Sequence, residues 1–450
     1  MQNKKSDKVK PRIASGFMEL LPGDQIAFNS MLRAIQEVYE SFGFLPIETP
    51  VMELTDVLLA KGGGETDKQV YRLTKGDTNL CLRFDLTVPL ARYVSQYANQ
   101  LNFPFRRYQM QRVYRGEGAQ KGRYREFYQC DIDVIGENLS VFNDAEIPAV
   151  IFEVFKKLQV PPFTIKINNR KILNGIFEIM GIENISKEVL TIIDKLEKIG
   201  SEAVEYQLIN LGLNAKQSKL LIEITSLSVS FAVVQDILNF LGKEDCNNIN
   251  LNLGHDELKK VVNALEVYGV SEKYYKVDLG IARGLDYYTG TIYETTLNDY
   301  PEIGSICSGG RYDDLCKFYT DRNLQGVGIS IGLTRLFYQL KQIVVIAHQT
   351  SCTSKVIILP WGEEDRIYAM RIAKDLRLSN IPCEVYLDNA KLSKKFKYAS
   401  SLGVPYGIVI GQSEREKNTV TLKDLRTGEQ KQEILLDHAI AVINWGINHR

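Results

Sequence analysis

The segment Arg112–Gly136, RVYRGEGAQKGRYREFYQCDIDVIG, constrains the fold more than any other part of the chain. It opens with Arg112, Arg115, Lys121, Arg123 and Arg125, interrupted by Gly116, Gly118 and Gly122, and then alternates strictly. Gln129, Asp131 and Asp133 fall on one side of the predicted strand, and Tyr128, Cys130, Ile132 and Val134 on the other. A strand that is apolar on one face and acidic on the other belongs to a sheet whose polar face meets either water or a ligand. Arginines on a glycine-rich loop beside a row of acceptors suit a ligand with an anionic half and a cationic half.

At 450 residues the chain exceeds one compact core, and two or three domains are expected. Fifty-five basic residues oppose 55 acidic ones, so no overall field advertises a nucleic-acid partner, and any such partner is held by local patches. The seven cysteines form no C-x-x-C pair, which fits free thiols in a reducing cytoplasm. His255, His348, His438 and His449 lie outside every motif, so neither a catalytic imidazole nor a His/Cys metal site is expected. No apolar run is long enough to span a bilayer, and the lysine-rich start lacks the apolar core of a secretory signal.

Along the chain, residues 24–42 carry Ile26, Met31, Ile35, Val38 and Phe42 at helical spacing, with Asp24 placed to cap the start and Gly43 to end it. FLPIETPVME follows, confined by Pro46 and Pro50 to an edge or an interface. The stretch NLCLRFDLTVPLAR (79–92) alternates again, which predicts a strand with Arg83, Asp85 and Thr87 on its polar face. Residues 171–272 change character to Leu/Ile/Glu/Lys-rich helical stretches and read as an insertion. Short strands resume at 276, and AHQTSCTS (347–354) reads as a linker. Strand–helix alternation beyond it predicts a small α/β domain with a mostly parallel sheet, then a hairpin around DLRTGEQ and a terminal helix.

Three arginines sit beside glycine-rich or alternating strands: Arg115, Arg283 in ARGLDYYTGTIYE (282–294), and Arg335 after GVGISIG (326–332). In GVGISIG the residues Gly326, Gly328, Ser330 and Gly332 share a face, on which a flat ring or a phosphate chain could lie against backbone. Joining a carboxylate to the α-phosphorus of ATP would need such a clamp, because positioning and charge dominate phosphoryl chemistry.

Together with LRFDLTVPLAR (82–92) and CSGGRYDDL (307–315), these segments resemble, over essentially the whole chain, the histidyl-tRNA synthetases among class II aminoacyl-tRNA synthetases. The resemblance implies an α+β architecture: a class II antiparallel-sheet catalytic domain split between 1–170 and 273–346, a helical insertion at 171–272, and a C-terminal α/β anticodon-binding-like domain at 353–450. It implies that residues 24–53 help build a homodimer interface, although on local sequence this unit is equally an edge strand. By the same resemblance, Arg115 and Arg283 contact the α-phosphate and the substrate carboxylate, Glu117 accepts from the adenine amino group, and Arg335 holds the γ-phosphate. Asp85, Thr87 and Gln129 would bind the α-ammonium of histidine. Asp133, Tyr288 and Tyr312 would read its imidazole, with Tyr287 also among the histidine-binding residues. Gln129 would assist catalysis, and Lys121, Arg123 and Arg125 would touch tRNA phosphates, unless Arg125 faces inward instead.

The implied function is histidine–tRNA ligation in the cytoplasm, with histidine, tRNA(His) and ATP with Mg2+ as substrates. The alternative is a catalytically silent paralogue serving as a histidine or tRNA sensor or regulatory subunit. One departure is visible: the third class motif usually has Glu before its arginine, where Thr334 stands here.

Overall fold

The computed structural model describes residues 9–60, 68–118, 122–229, 231, 248–281, 288–343 and 352–449. The chain divides into two compact units, Met1–Met18 with Met31–Val345, and Glu19–Ser30 with Ile346–Arg450.

The larger unit is built on a nine-stranded sheet. Its strands in chain order are β1 (Leu45–Pro46), β5 (Phe105–Tyr114), β6 (Glu126–Gly136), β7 (Phe163–Asn169), β8 (Ser228–Val229), β9 (Tyr275–Asp278), β10 (Thr291–Leu297), β11 (Cys307–Tyr312) and β12 (Gln325–Gly332). Their spatial order is β1-β5-β6-β12-β11-β10-β7-β9-β8. Only the β1–β5 and β7–β9 pairings are parallel. The strands β2 (Met52–Leu54), β3 (Arg72–Lys75) and β4 (Thr78–Leu82) form a separate antiparallel sheet of three.

Alternation decides which face each residue joins. On one face Cys130, Ile132, Val134, Ile329 and Ile331 are buried, and the Tyr39 hydroxyl donates to the Cys130 carbonyl at 2.9 Å. Tyr39 belongs to the helix Pro22–Ser41, which begins two residues before Asp24 and leaves that carboxylate inside its first turn. There it still complements the positive helix end. Gly43 follows the helix at φ +76°, the left-handed conformation that suits glycine.

The other face grades from apolar to polar. Its rows across β5, β6, β12 and β11 read Phe105–Ile135–Gly326–Tyr312, Arg107–Asp133–Gly328–Gly310 and Gln109–Asp131–Ser330–Ser308, ending with Gln111–Gln129–Gly332 on three strands. The helix Thr87–Gln96 packs Leu90, Ala91 and Val94 on the apolar end.

That helix corrects the sequence expectation for 79–92. Strand β4 stops at Leu82 and the helix starts at Thr87. Pro89 sits in the first turn, where a missing N–H costs nothing. Asp85 accepts from the Val88 N–H at 3.1 Å and so helps start the helix.

Among the described residues between 170 and 267 the chain is helical apart from short connections and β8, and the helices Arg170–Met180 and Ile249–Val267 pack backbone to backbone. A Cβ at Gly175 would lie 2.6 Å from the Leu251 nitrogen, and one at Gly254 only 2.7 Å from the Ile172 nitrogen.

The smaller unit has a five-stranded sheet. Its strands are β13 (Val356–Pro360), β14 (Cys383–Val385), β15 (Tyr406–Ile410), β16 (Val420–Asp424) and β17 (Gln430–Ile434), in the order β14-β13-β15-β16-β17. The expected strand–helix alternation holds for its first half, where β14, β13 and β15 are parallel. The hairpin β16–β17 then adds antiparallel to β15, so the sheet is evenly mixed rather than mostly parallel. Among the described residues no helix is long and apolar enough to cross a membrane.

Candidate active site

At the polar end of the graded face lies a cavity of about 340 Å³. Arg115, Glu117, Arg123, Gln129 and Arg335, five of the residues singled out from sequence, line it together with Phe127, Ser308, Ser330 and Gly332. Arg115 is held from behind: its Nε donates to the Phe84 carbonyl at 3.0 Å, and its guanidinium lies 5.1 Å from the Phe127 ring centroid. Arg335, on the helix Leu333–Gln342, donates to the Ile303 carbonyl. The helix itself is tied to β6 by Thr334, whose hydroxyl accepts from the Tyr128 N–H at 2.8 Å. Thr334 thus makes a specific backbone contact at the position where a carboxylate was expected.

Arg125 does not enter the cavity. Its Nε donates to the Glu117 carbonyl at 3.1 Å and its Nη1 to the Ser15 carbonyl at 3.2 Å, so it shapes the loop. Arg123 is exposed at the rim. Lys121, Arg283, Tyr287 and the segment Gly62–Glu65, which by the family resemblance would close over the substrate and on local sequence is equally a flexible turn, lie outside the described residues.

One step along the sheet the groups become buried. Gln129 donates to Ser330 Oγ at 2.6 Å, which leaves its Oε1 without a partner. Ser330 also hydrogen-bonds Asp131, whose Oδ1 is likewise unpartnered. Burial pushes the Asp131 carboxyl up to about 7, against the pull of Arg107 and Ser330. Asp133 accepts from the Tyr312 hydroxyl through Oδ1 at 2.7 Å and meets Arg107 Nη2 through Oδ2 at 2.5 Å. Its carboxyl is pushed up to about 6, again by burial, with Arg107 and then Tyr312 opposing. Asp85, raised by burial, is held down by the backbone N–H of Val88 and by the nearby Arg115 and Arg107.

The bare glycine face departs from expectation in an instructive way. A Cβ on Gly326 would fall 2.2 Å from the Tyr312 ring, and one on Gly328 would fall 2.2 Å from Asp133 Oδ1. A Cβ on Gly310 would come within 2.9 Å of the Tyr288 ring. These glycines therefore make room for the protein's own side chains, the three assigned to the imidazole. Only the Ser330–Gly332 end of the strand opens into the cavity.

Arg107 and Gln109 were missed from sequence. Both are fully buried on β5, and both carry side-chain atoms without hydrogen-bond partners: all three guanidinium nitrogens of Arg107, and Oε1 of Gln109. Such atoms in a native interior call for a ligand, an ion or water. FRRYQMQR places Arg107, Gln109 and Gln111 on one face of a strand, and that was the available signal, partly hidden by Arg106 and Arg112 on the other face.

An antiparallel sheet with arginines at one end and buried carboxylates in its middle, joined in one chain to a mixed α/β unit, defines a class II aminoacyl-tRNA synthetase architecture. A family model for histidyl-tRNA synthetase matches residues 16–336, and one for an anticodon binding domain matches 355–444. The histidine–tRNA ligase of Clostridium tetani is 52% identical over 98% of this chain and 99% of its own length. A crystal structure of the histidyl-tRNA synthetase of a Nostoc species superposes with a TM-score of 0.90 at 39% identity, covering 97% of this chain and 99% of that one. An ATP phosphoribosyltransferase regulatory subunit/histidyl-tRNA synthetase from Bacillus halodurans shares the fold, with a TM-score of 0.73 at 22% identity over 89% of this chain and 99% of that one. The chain belongs to the histidyl-tRNA synthetase family.

Proposed function

We propose that this protein is a histidine–tRNA ligase that activates histidine with ATP on the graded face of its large sheet and transfers it to tRNA(His). The observation that carries the residue roles is the placement of Arg115, Glu117, Gln129 and Arg335 around one cavity whose Ser308–Ser330 row lies next to the row of Asp133 on the same sheet face. In this reading ATP, arriving with Mg2+ as its substrate complex, lies at the arginine end. Arg115 stabilises charge at the α-phosphate, Glu117 accepts from adenine, and Arg335 holds the γ-phosphate. Arg283 completes the clamp on phosphate and carboxylate.

The α-ammonium of histidine meets the unpartnered Gln129 Oε1 with Asp85, and Thr87 at the helix start. The ring enters between Asp133, Tyr288 and Tyr312, with Tyr287 from the same motif. Imidazole offers one donor and one acceptor, which a carboxylate and a phenol satisfy together. A different side chain would leave those buried groups unpaired, which is a strong basis for rejection. Ser330 turns the Gln129 amide so that its oxygen, not its nitrogen, faces the ammonium.

Lys121 and Arg123 at the rim suit the acceptor end of tRNA, and residues 353–450 its anticodon. The remaining division follows: a catalytic domain of 1–170 and 273–346 around a helical insertion at 171–272. The exposed apolar residues Leu45, Met52 and Leu54 in and beside the proline-bearing segment suit a homodimer face. The cytoplasm, where tRNA is charged, is the compartment this reading requires.

The direct test of the clamp is Arg115→Ala. Histidine-dependent ATP–pyrophosphate exchange is expected to fall by about 10²–10³ with circular dichroism unchanged, since the lost interaction belongs to the transition state. Unaltered exchange would contradict the role of Arg115. A silent regulator would instead bind histidine without exchange in the unmodified chain.

A further inference from the structure

We infer that Arg107, which does not line the cavity, fixes the charge state in which the imidazole is bound: by neutralising Asp133, it causes histidine to be taken up with an uncharged ring. The inference rests on the reading of Asp133 as a contact of that ring.

The geometry is specific. Arg107 and Asp133 face each other directly across the β5–β6 ladder, and neither is more than 5% exposed as a side chain. Arg107 Nη2 meets Asp133 Oδ2 at 2.5 Å, while Tyr312 donates to Oδ1 at 2.7 Å. Among the described residues the other charged groups acting on Asp133 are few. β6 brings Asp131, two residues away, and the segment before the helix Thr87–Gln96 brings Asp85. Cys316 lies beside Asp133, and β12 contributes only Gly328. Arg107 is thus the cation in contact with Asp133 among the described residues, and it also draws down Asp85 and Asp131.

A buried carboxylate–guanidinium pair is neutral, and placing an imidazolium against it would bury an uncompensated positive charge. A neutral ring has no such penalty: its N–H donates into a remaining lone pair of Asp133, and its second nitrogen accepts from a tyrosine hydroxyl. Without the guanidinium, the site carries one more negative charge in its interior. It then relieves that charge by binding one proton, on the ring or on Asp133 itself. Arg107 is a positioning residue in this account, since it touches Asp133 and not histidine.

Proton linkage gives the test. In the unmodified chain, ring and Asp133 must both be deprotonated, so histidine affinity rises with pH through the imidazole range. With an ordinary imidazole value near 6.5, the gain from pH 6 to pH 8 is about fourfold or more. In Arg107→Gln the complex holds one more proton, so the rise in affinity over the same interval is expected to be lost or reversed. Arg107→Lys, which keeps the charge, should restore the original direction.

The measurement is the histidine KM in ATP–pyrophosphate exchange at pH 6, 7 and 8. Parallel profiles for the unmodified protein and Arg107→Gln would overturn the inference. Should Arg107→Gln not fold, the nitrogen-15 spectrum of labelled histidine bound to the unmodified protein decides: a neutral ring from pH 6 to 8 supports the inference, an imidazolium overturns it. Asp133→Asn separates the two layers. If that variant leaves histidine KM unchanged, the reading of Asp133 itself fails. If it raises KM while Arg107→Gln keeps the original profile, only the role of Arg107 fails.

Discussion

The large sheet buries two arginine–aspartate pairs, one on each face, and they are built differently. Arg311, on the face covered by the helix Phe142–Lys157, is closed in on itself. Its Nε reaches both oxygens of Asp144 at 3.1 Å, and its Nη2 donates to Asp144 Oδ1 at 2.6 Å and to the Leu139 and Ser140 carbonyls. Thr291 donates to the same carboxylate. Arg107, on the opposite face, touches Asp133 but makes no aligned hydrogen bond from any of its nitrogens, and its neighbours Gln109, Gln129 and Asp131 have unpartnered oxygens. Buried polar groups without partners are costly, so a fold keeps them where something else completes them. The closed pair holds the sheet to its helix. The open pair sits among unpartnered side-chain atoms beside the proposed histidine site.

That contrast can be broken most sharply by removing each arginine in turn. Arg311→Met strips a network of several acceptors and should cost about 3–5 kcal/mol of stability in urea unfolding, the range for a broken buried pair. Arg107→Gln, whose carboxylate partner already titrates near 6, should destabilise less yet change histidine KM more. Equal stability losses with unchanged histidine KM in both would erase the distinction. Next in size is Gly328→Ala, which places a Cβ against Asp133 Oδ1 and the Ile132 carbonyl. Overpacking of this kind costs about 1–3 kcal/mol, and a steeper rise in KM for histidine than for ATP should accompany it. Thr334→Val should have the smallest effect, about 1 kcal/mol for a lost hydrogen bond. Its functional cost should fall on ATP KM, because Thr334 anchors the helix of Arg335, and Thr334→Ser should recover it.

How much of this was legible in the sequence depended on how cleanly each pattern stood alone. In the middle of β6, from Tyr128 to Val134, polar and apolar residues alternate strictly, and Gln129, Asp131 and Asp133 share a face as expected. In β5 the same alternation of Arg107, Gln109 and Gln111 is masked by Arg106 and Arg112 on the other face. Those two pair with Glu146 and Glu126. The strand proposed for 79–92 failed because alternation over LRFDLTV outweighed two local helix signals, Asp85 before the start and Pro89 in the first turn. The glycines of β12 announced close approach correctly but could not say of what, since Tyr312 arrives from β11 and Asp133 from β6. Partners brought together only by the fold have no signature in a single stretch of chain.

The most direct test of the account is ATP–pyrophosphate exchange on the unmodified protein with each of the twenty amino acids and no tRNA. The account predicts exchange with histidine and none above background with the other nineteen, because only an imidazole completes Asp133 and the tyrosines. Exchange with another amino acid at a comparable rate, or histidine binding without exchange, would contradict it.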